Sequence, residues 1–249
     1  GGTSADISVI KNKKIRMKHL LDTKIGDYSA MVPMLDVSTI GAGGGSIAYI
    51  DDGGFFRVGP KSAGAEPGPA CYDLGGDQPT VTDANLLLGR LNSDYFIGGR
   101  MTLKKALAEK AIQKNICDKL NMTIEEAAQG LLKIVNHSML QAVKKESIRR
   151  GLDVRKYSLL ACGGAGPLHA CEIADQLGMK HVIFPPNPGI LSALGLMATD
   201  MNYDYSKTEL QIAAKADLKK IKADYAELEK TASERLADDR VPEDRRALC

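Results

Sequence analysis

The sequence predicts an α/β fold, and three observations carry that reading. Residues 3–58 hold short runs in which β-branched and polar residues alternate, the period of half-buried strands. From Leu103 to Arg150 apolar residues recur at helical spacing instead. After that, an apolar run at Tyr157–Cys162, a glycine turn, a helical stretch and a second apolar run at Val182–Phe184 follow one another. That order builds two parallel strands joined by a right-handed crossover.

The elements follow in chain order. Thr3–Ile10 and Lys14–Leu20 alternate on either side of Lys11-Asn12-Lys13, which reads as a hairpin closed by an Asn-containing turn. Ser46–Ile50 and Phe55–Val58 flank Asp51-Asp52-Gly53-Gly54, a loop able to supply the positive φ angles of a second hairpin. Gly59–Pro79 holds nine Gly or Pro among 21 residues, so no regular structure is expected there. A loop of that length inside a domain is commonly functional, and Ala63, Ala65, Ala70, Cys71 and Tyr72 suit one that packs on the body. Helices are expected at Leu103–Leu120 and at Thr123–Arg150, the second with Ala127, Leu131, Val135, Met139 and Ala142 on one face. Thr123 and Glu126 form a capping-box start, and Gly151 is a natural stop. A further helix is expected at Leu168–Leu177, and Pro185–Gly189 breaks the chain before another at Ile190–Ala198. In the tail, Leu218, Ile221, Tyr225, Leu228 and Ala232 step by three and four among many Lys and Glu, a narrow apolar stripe on a solvated helix. The expected division is a body over residues 1–204, with residues 59–79 as a loop insertion, and the start of a C-terminal region over 205–249.

Composition removes several functional classes. The 249 residues are 44% hydrophobic and 26% charged with a net charge of +2, so no strong field for nucleic acid or anionic lipid follows. Aromatics are 5% and Trp is absent, which leaves no stacking platform for single strands. Five cysteines without a CxxC pair indicate neither a disulfide framework nor a zinc knuckle, and a reducing cytoplasm is expected. No apolar run approaches the ~20 residues that span a bilayer. The opening Gly1-Gly2-Thr3, without Met, suggests a processed or truncated product.

Three glycine clusters could carry chemistry. At Gly1-Gly2-Thr3-Ser4-Ala5-Asp6, glycines let backbone approach phosphate oxygens, successive N–H groups and the Thr3 hydroxyl can donate to them, and Asp6 can hold a hydrated divalent cation. At Gly163-Gly164-Ala165-Gly166-Pro167, small residues between a strand and a helix leave room for adenosine or phosphate beside a helix N-terminus. This is not the dinucleotide fingerprint, since no acidic strand end follows about 20 residues on, and no GxxxxGK[ST] occurs. Gly43-Gly44-Gly45 precedes a strand and reads either as ligand contact or as a bend. Cys71 and His169 are weaker candidates, each with a plain packing role as the alternative. Asp36, Asp83 and Asn85 flank the glycine segments and could line a cleft, although Asp83–Leu91 also reads as a short capped helix.

Taken together, the GGTS-x-D and strand-GGAGP-helix patterns resemble the second phosphate motif and the adenosine motif of the actin-like ATPases. Residues 36–52 (DVSTIGAGGGSIAYIDD), 57–91 and 159–195 narrow the resemblance to the hydantoinase/oxoprolinase family, which includes the hydantoinase A-type subunit and the β-type subunits of acetone and acetophenone carboxylases. The resemblance runs from Gly1 to about Asp204. It implies a ribonuclease-H-like lobe, a mixed sheet with helices on both faces. It further implies ATP with Mg²⁺ or another divalent metal, and activation of an amide or enol oxygen by phosphorylation. Gly1, Gly2 and Thr3 would cradle the β- and γ-phosphates, Asp6 would position the metal or the reacting group, and Gly163 to Pro167 would border adenosine. The implied substrate is a cyclic amide of hydantoin or 5-oxoproline type, with a ketone carboxylase or a non-catalytic actin-like scaffold as alternatives. A B-type hydantoinase or other enzyme subunit is the implied partner, in an oligomer. The family carries a further N-terminal lobe, so this stretch is expected to supply part of a nucleotide site, with its two terminal glycine turns on one rim of the sheet.

Overall fold

A computed structural model describes residues 1–18, 24–25, 27–29, 34–212 and 216–247. The strands are β1 (Ala5–Ile7), β2 (Ile10–Lys11), β3 (Lys14–Ile15), β4 (Lys24–Ile25), β5 (Tyr28–Ser29), β6 (Ser38–Ile40), β7 (Ser46–Ile50), β8 (Phe56–Ser62), β9 (Leu159–Leu160) and β10 (Val182–Ile183). The helices are α1 (Val81–Leu87), α2 (Lys105–Ile112), α3 (Asp118–Leu120), α4 (Ile124–Ile148), α5 (Gly166–Leu177), α6 (Leu191–Ala198) and α7 (Leu218–Asp238). The chain divides into two compact units, Gly1–Gly195 and Leu196–Cys249.

In the first unit the fold is α/β. The expected parallel pair forms: β9 lies beside β10 with Leu159 opposite Val182, and α5 is the crossover between them. The β7–β8 hairpin forms as well, with Tyr49 opposite Arg57. Three expectations change. The alternating run at residues 3–10 folds back on its successor only at its end, where Ile10 faces Ile15 in the short β2–β3 hairpin turning at Asn12-Lys13, both with positive φ; β1 instead pairs antiparallel with β6, Asp6 facing Thr39. Alternation specifies which face is buried and leaves the partner open, so packing chose a strand over thirty residues away. The distal part of the expected second arm, residues 19–20, lies outside the described residues. Regular structure also enters the glycine-proline segment, because β8 continues through Pro60 to Ser62 and Ala70–Tyr72 makes a 3-10 turn. Finally, the helix expected at Leu103–Leu120 is α2 and α3 separated by a π turn at Gln113–Cys117. Among the described residues the strands associate in pairs rather than as one continuous ladder.

The core gathers around α4. Its buried positions Ala127, Ala128, Leu131, Leu132, Val135, Met139 and Leu140 keep the spacing of one helical face, and Val81, Ala84, Ile112, Ile116, Ile173 and Leu177 pack on it from α1, α2, the π turn and α5. At its start, the Thr123 hydroxyl accepts from the Glu126 N–H at 3.2 Å while the Glu126 carboxylate accepts from the Thr123 N–H at 2.9 Å. At its far end Arg150, 8% exposed, reaches Asp36 at 3.0 Å and Glu146 at 3.1 Å, tying the helix to the entry of β6. A second capping box starts α1, and here the acid is fully buried. Asp83 accepts from the N–H groups of Thr80 and Cys71 at 2.9 and 2.8 Å and from the Thr80 hydroxyl at 2.7 Å, so one carboxylate pins both the helix and the glycine-proline loop.

In the second unit, α7 is capped by Asp217, whose carboxylate accepts from the N–H groups of Lys219 and Lys220. Lys207 pairs with Asp224 at 2.6 Å and Glu227 at 2.7 Å on that helix, and no residue of α7 is buried. Among the described residues no helix is long and apolar enough to cross a membrane.

Candidate functional site

The three glycine clusters meet in space. Gly44 donates its N–H to the Gly1 carbonyl at 3.2 Å and Gly45 donates to the Gly2 carbonyl at 2.5 Å. A Cβ on Gly43 would lie 2.6 Å from the Gly1 oxygen, so only glycine lets the two segments come this close. From the other side Gly163, at φ 85°, approaches Gly1: a Cβ there would lie 3.5 Å from the Gly1 nitrogen. The Gly1–Thr3 turn is thus flanked by the Gly43–Gly45 bend and the Gly163–Gly166 turn. The Ser62 hydroxyl donates to the Thr3 hydroxyl at 3.3 Å.

The clusters differ in what they leave available. The N–H of Gly43 goes to the Ser46 hydroxyl at 2.9 Å, and those of Gly44 and Gly45 go to Gly1 and Gly2. The Gly44 carbonyl accepts from the Thr82 N–H at 2.8 Å and from its hydroxyl at 2.9 Å. This bend is therefore a buttress, its donors consumed by protein. At the other turn, Gly163 donates to the Pro188 carbonyl at 2.8 Å, while no protein acceptor takes the N–H of Gly164, Ala165 or Gly166 among the described residues. Those three amides open the N-terminus of α5, where Pro167 occupies the first turn and needs no acceptor. Backbone donors at such an end suit an anion. Added Cβ atoms at Gly2, Gly164 and Gly166 would meet nothing within 4 Å, so these glycines face open space.

Between the turns lies a cavity of about 130 Å³ whose wall includes Gly1, Asp6, Cys162, Ala165, Gly166 and His169. Asp6 is exposed on β1, and its Oδ1 accepts from the Thr39 hydroxyl at 2.6 Å. His169 is 1% exposed, with Nδ1 2.7 Å from Oδ1 of Asn136 on α4. Burial, with a smaller contribution from the nearby Arg90 charge, pulls its pKa down to about 4, so the ring is neutral at physiological pH. Sequence reasoning set His169 below the glycine clusters because Asn136 is too distant in the chain to announce the pair.

The remaining candidates lie elsewhere. Cys71 is fully buried against Asp83, and burial first, then that carboxylate, push its thiol pKa well up, which removes it as a nucleophile. Asp36 is spent on Arg150, Asp83 on the α1 capping box, and the Asn85 amide donates to the Val81 carbonyl at 3.0 Å. A larger cavity of about 400 Å³ shares Asp6, Ile7, Val143, Leu159 and Cys162 with the smaller one and runs on to Ile10 and Met179; both walls are mainly apolar, and the larger has no glycine turn in it.

Comparison with known proteins gives a consistent picture. A family described as hydantoinase/oxoprolinase matches residues 1–205. The chain is 39% identical to the caprolactamase subunit alpha of Pseudomonas jessenii over 251 residues, covering 100% of this chain and 36% of that protein. It is 38% identical to the acetophenone carboxylase gamma subunit of Aromatoleum aromaticum, covering 93% of this chain and 31% of that one. A nucleotide-free acetone carboxylase structure superposes with a TM-score of 0.82 at 27% identity, over 96% of this chain and 34% of that chain. The chain therefore spans about a third of the length of these relatives.

Proposed function

The chain belongs to the hydantoinase/oxoprolinase family, with the α/β lobe of an actin-like ATPase as its fold, and from that premise we propose that it forms part of the nucleotide site of an ATP-dependent cyclic amide hydrolase. The observation that carries this reading is the approach of Gly163 to Gly1, which sets two glycine turns side by side around one cavity. In this reading the amides of Gly164, Ala165 and Gly166, together with Gly1, Gly2 and Thr3, receive the nucleotide. Gly43 to Gly45 act one step back, holding the first turn in place. Phosphoryl transfer asks a protein mainly for positioning and charge neutralisation, and backbone amides in a preorganised turn supply both.

Asp6 is the carboxylate in that cavity wall. Among the described residues no group of three His, Cys, Asp or Glu side chains gathers as a metal cage. A lone carboxylate fits Mg²⁺, which commonly takes one or two protein carboxylates and completes its shell with phosphate oxygens and water. Asp6 would hold such an ion, which supplies neutralisation of the transferred phosphoryl group. Thr39 fixes the carboxylate orientation through its 2.6 Å hydrogen bond.

A 130 Å³ cavity is well below the ~300–1,000 Å³ of a typical small-molecule site. The proposal is accordingly that other parts of a longer protein close over the phosphates, and that a second subunit completes the enzyme, as the subunit names of the relatives suggest. Substrates of lactam, hydantoin or 5-oxoproline type fit the caprolactamase relation. The high TM-score to acetone carboxylase favours a ketone carboxylase as the second reading.

Steady-state ATPase assays test both. The enzyme carrying this chain should hydrolyse ATP when a cyclic amide is supplied, without bicarbonate, whereas dependence on a ketone plus bicarbonate would select the carboxylase. ATP turnover indifferent to every substrate would select the scaffold. Asp6→Asn or Thr3→Ala should lower substrate-dependent ATPase by orders of magnitude, and full activity in Asp6→Asn would place the chemistry elsewhere.

A further inference from the structure

Ser62 closes β8 and brings a second hydroxyl to the first glycine turn, its Oγ lying 3.3 Å from Oγ1 of Thr3, 59 residues earlier in the chain. Gly45 holds the two segments together: its N–H goes to the Gly2 carbonyl at 2.5 Å, and its carbonyl takes the Ala63 N–H at 2.8 Å. A Cβ on Gly45 would stand 2.8 Å from the Ser62 oxygen and 3.1 Å from the Gly2 oxygen, so any side chain there would wedge Ser62 away from the turn. On its other side the Ser62 oxygen accepts from the Gly64 N–H at 3.2 Å. Thr3 is exposed, and among the described residues no protein acceptor takes its hydroxyl proton.

We propose that Ser62 is a positioning residue for the nucleotide, holding the Thr3 hydroxyl with its proton turned outward as a donor to a phosphate oxygen. The inference rests on the nucleotide reading above and deepens it, since that reading gives Thr3 a role without saying what orients it. A hydroxyl has one proton and two lone pairs, so a single hydrogen bond between two of them can run either way. Were Thr3 the donor to Ser62, it would turn only lone pairs toward a phosphate oxygen, which has no proton to offer. With an anion at the turn the bond therefore runs from Ser62 to Thr3, and the Thr3 proton goes to the ligand. The Gly64 N–H favours the same direction, because a hydroxyl that accepts one hydrogen bond donates the next more strongly. The 3.3 Å separation is long for two hydroxyls, as hydrogen bonds of a site often are before the ligand arrives.

The test is a double-mutant cycle on the enzyme that carries this chain, read as calorimetric affinity for Mg-ATP, with thermal melting to confirm the fold of each variant. Ser62→Ala should weaken ATP about threefold to tenfold at an unchanged Tm, the loss of one ordinary hydrogen bond. Ser62→Thr, which keeps the hydroxyl, should stay within about twofold of the parent. Thr3→Val removes the receiving hydroxyl and should weaken ATP at least as much as Ser62→Ala. In that background Ser62→Ala should add nothing. This non-additivity separates positioning from packing, since a serine that only shapes the loop would cost the same with or without the Thr3 hydroxyl. Equal losses in the two backgrounds, or parental affinity in Ser62→Ala, overturn the proposal and leave the nucleotide reading standing. Parental affinity in Thr3→Val overturns it as well, by taking Thr3 out of the phosphate contacts. If the parent enzyme binds no ATP at millimolar concentration, both fall.

Discussion

His169 and the glycines around it show how single residues divide the labour of fold and site. Its ring is neutral because burial disfavours the imidazolium, with a folded pKa near 4 against about 6.5 when unfolded. The unfolded chain thus binds the extra proton first as pH falls, so this residue's contribution to stability is complete above about pH 6.5 and is lost as pH drops toward 4. An NMR titration of the ring should find its midpoint near 4, and a midpoint near 6.5 would mean the ring is solvated. Gly43 and Gly164 should behave oppositely. A Cβ on Gly43 meets the Gly1 backbone at 2.6 Å, so Gly43→Ala must displace the first turn, at roughly 1–3 kcal/mol. One on Gly164 meets nothing within 4 Å, so Gly164→Ala should leave stability within ~0.5 kcal/mol while crowding the ligand. Chemical denaturation beside ATP titration separates the two. The composition of these turns was legible in the sequence; that Gly44 and Gly45 spend their donors on Gly1 and Gly2 was not, because those acceptors sit some forty residues away.

Elements were legible where their signals are local. The capping box at Thr123–Glu126 lies within one turn of chain and the structure places α4 after it, whereas the short capped helix read from Asp83 starts two residues earlier, from a capping box at Thr80–Asp83. They should differ in worth. Thr123→Ala removes an exposed cap and should cost about 1 kcal/mol. Asp83→Ala strips the acceptor from the buried N–H groups of Thr80 and Cys71, each orphaned donor costing roughly 1–3 kcal/mol, so its loss should be at least twice as large. Urea midpoints of the two variants decide this, and equal losses would show that the loop finds other acceptors. The π turn at Gln113–Cys117 carried no such signal. Helical spacing alone continues across it, and the packing of Ile116 and Cys117 into the core sets where the wider turn falls.

For the whole molecule, the main buried cluster runs from Ala42 to Leu177, inside the unit Gly1–Gly195, whereas α7 of the other unit buries none of its residues. A chain ending at Gly195 should therefore keep its fold, with Tm lowered by no more than ~3 °C, about what 1 kcal/mol is worth at this size. Calorimetry of residues 1–195 and 1–249 compares them, and loss of a cooperative transition in the shorter chain would refute the division. Function should need more than either unit. Residues 1–249 alone should turn over almost no ATP, because phosphates in an open half-site remain in water, where charges are screened and the ~7–11 kcal/mol available from positioning is lost. Robust ATPase from this chain by itself would overturn that expectation.

By itself the sequence determined the order and type of the main elements, the parallel crossover around α5, the helix caps and the family. All rest on residues within a turn or two of each other or on extended motifs. Tertiary structure alone decided that β1 pairs with β6, that three glycine turns from three parts of the chain converge, which of their amides the protein itself accepts, and that His169 is held by Asn136 while its Nε2 meets no partner among the described residues. The physical reason is separation along the chain. Periodicity and capping are local energies that leave a mark in neighbouring residues, whereas close approach and hydrogen-bond satisfaction depend on which distant segment the core brings alongside.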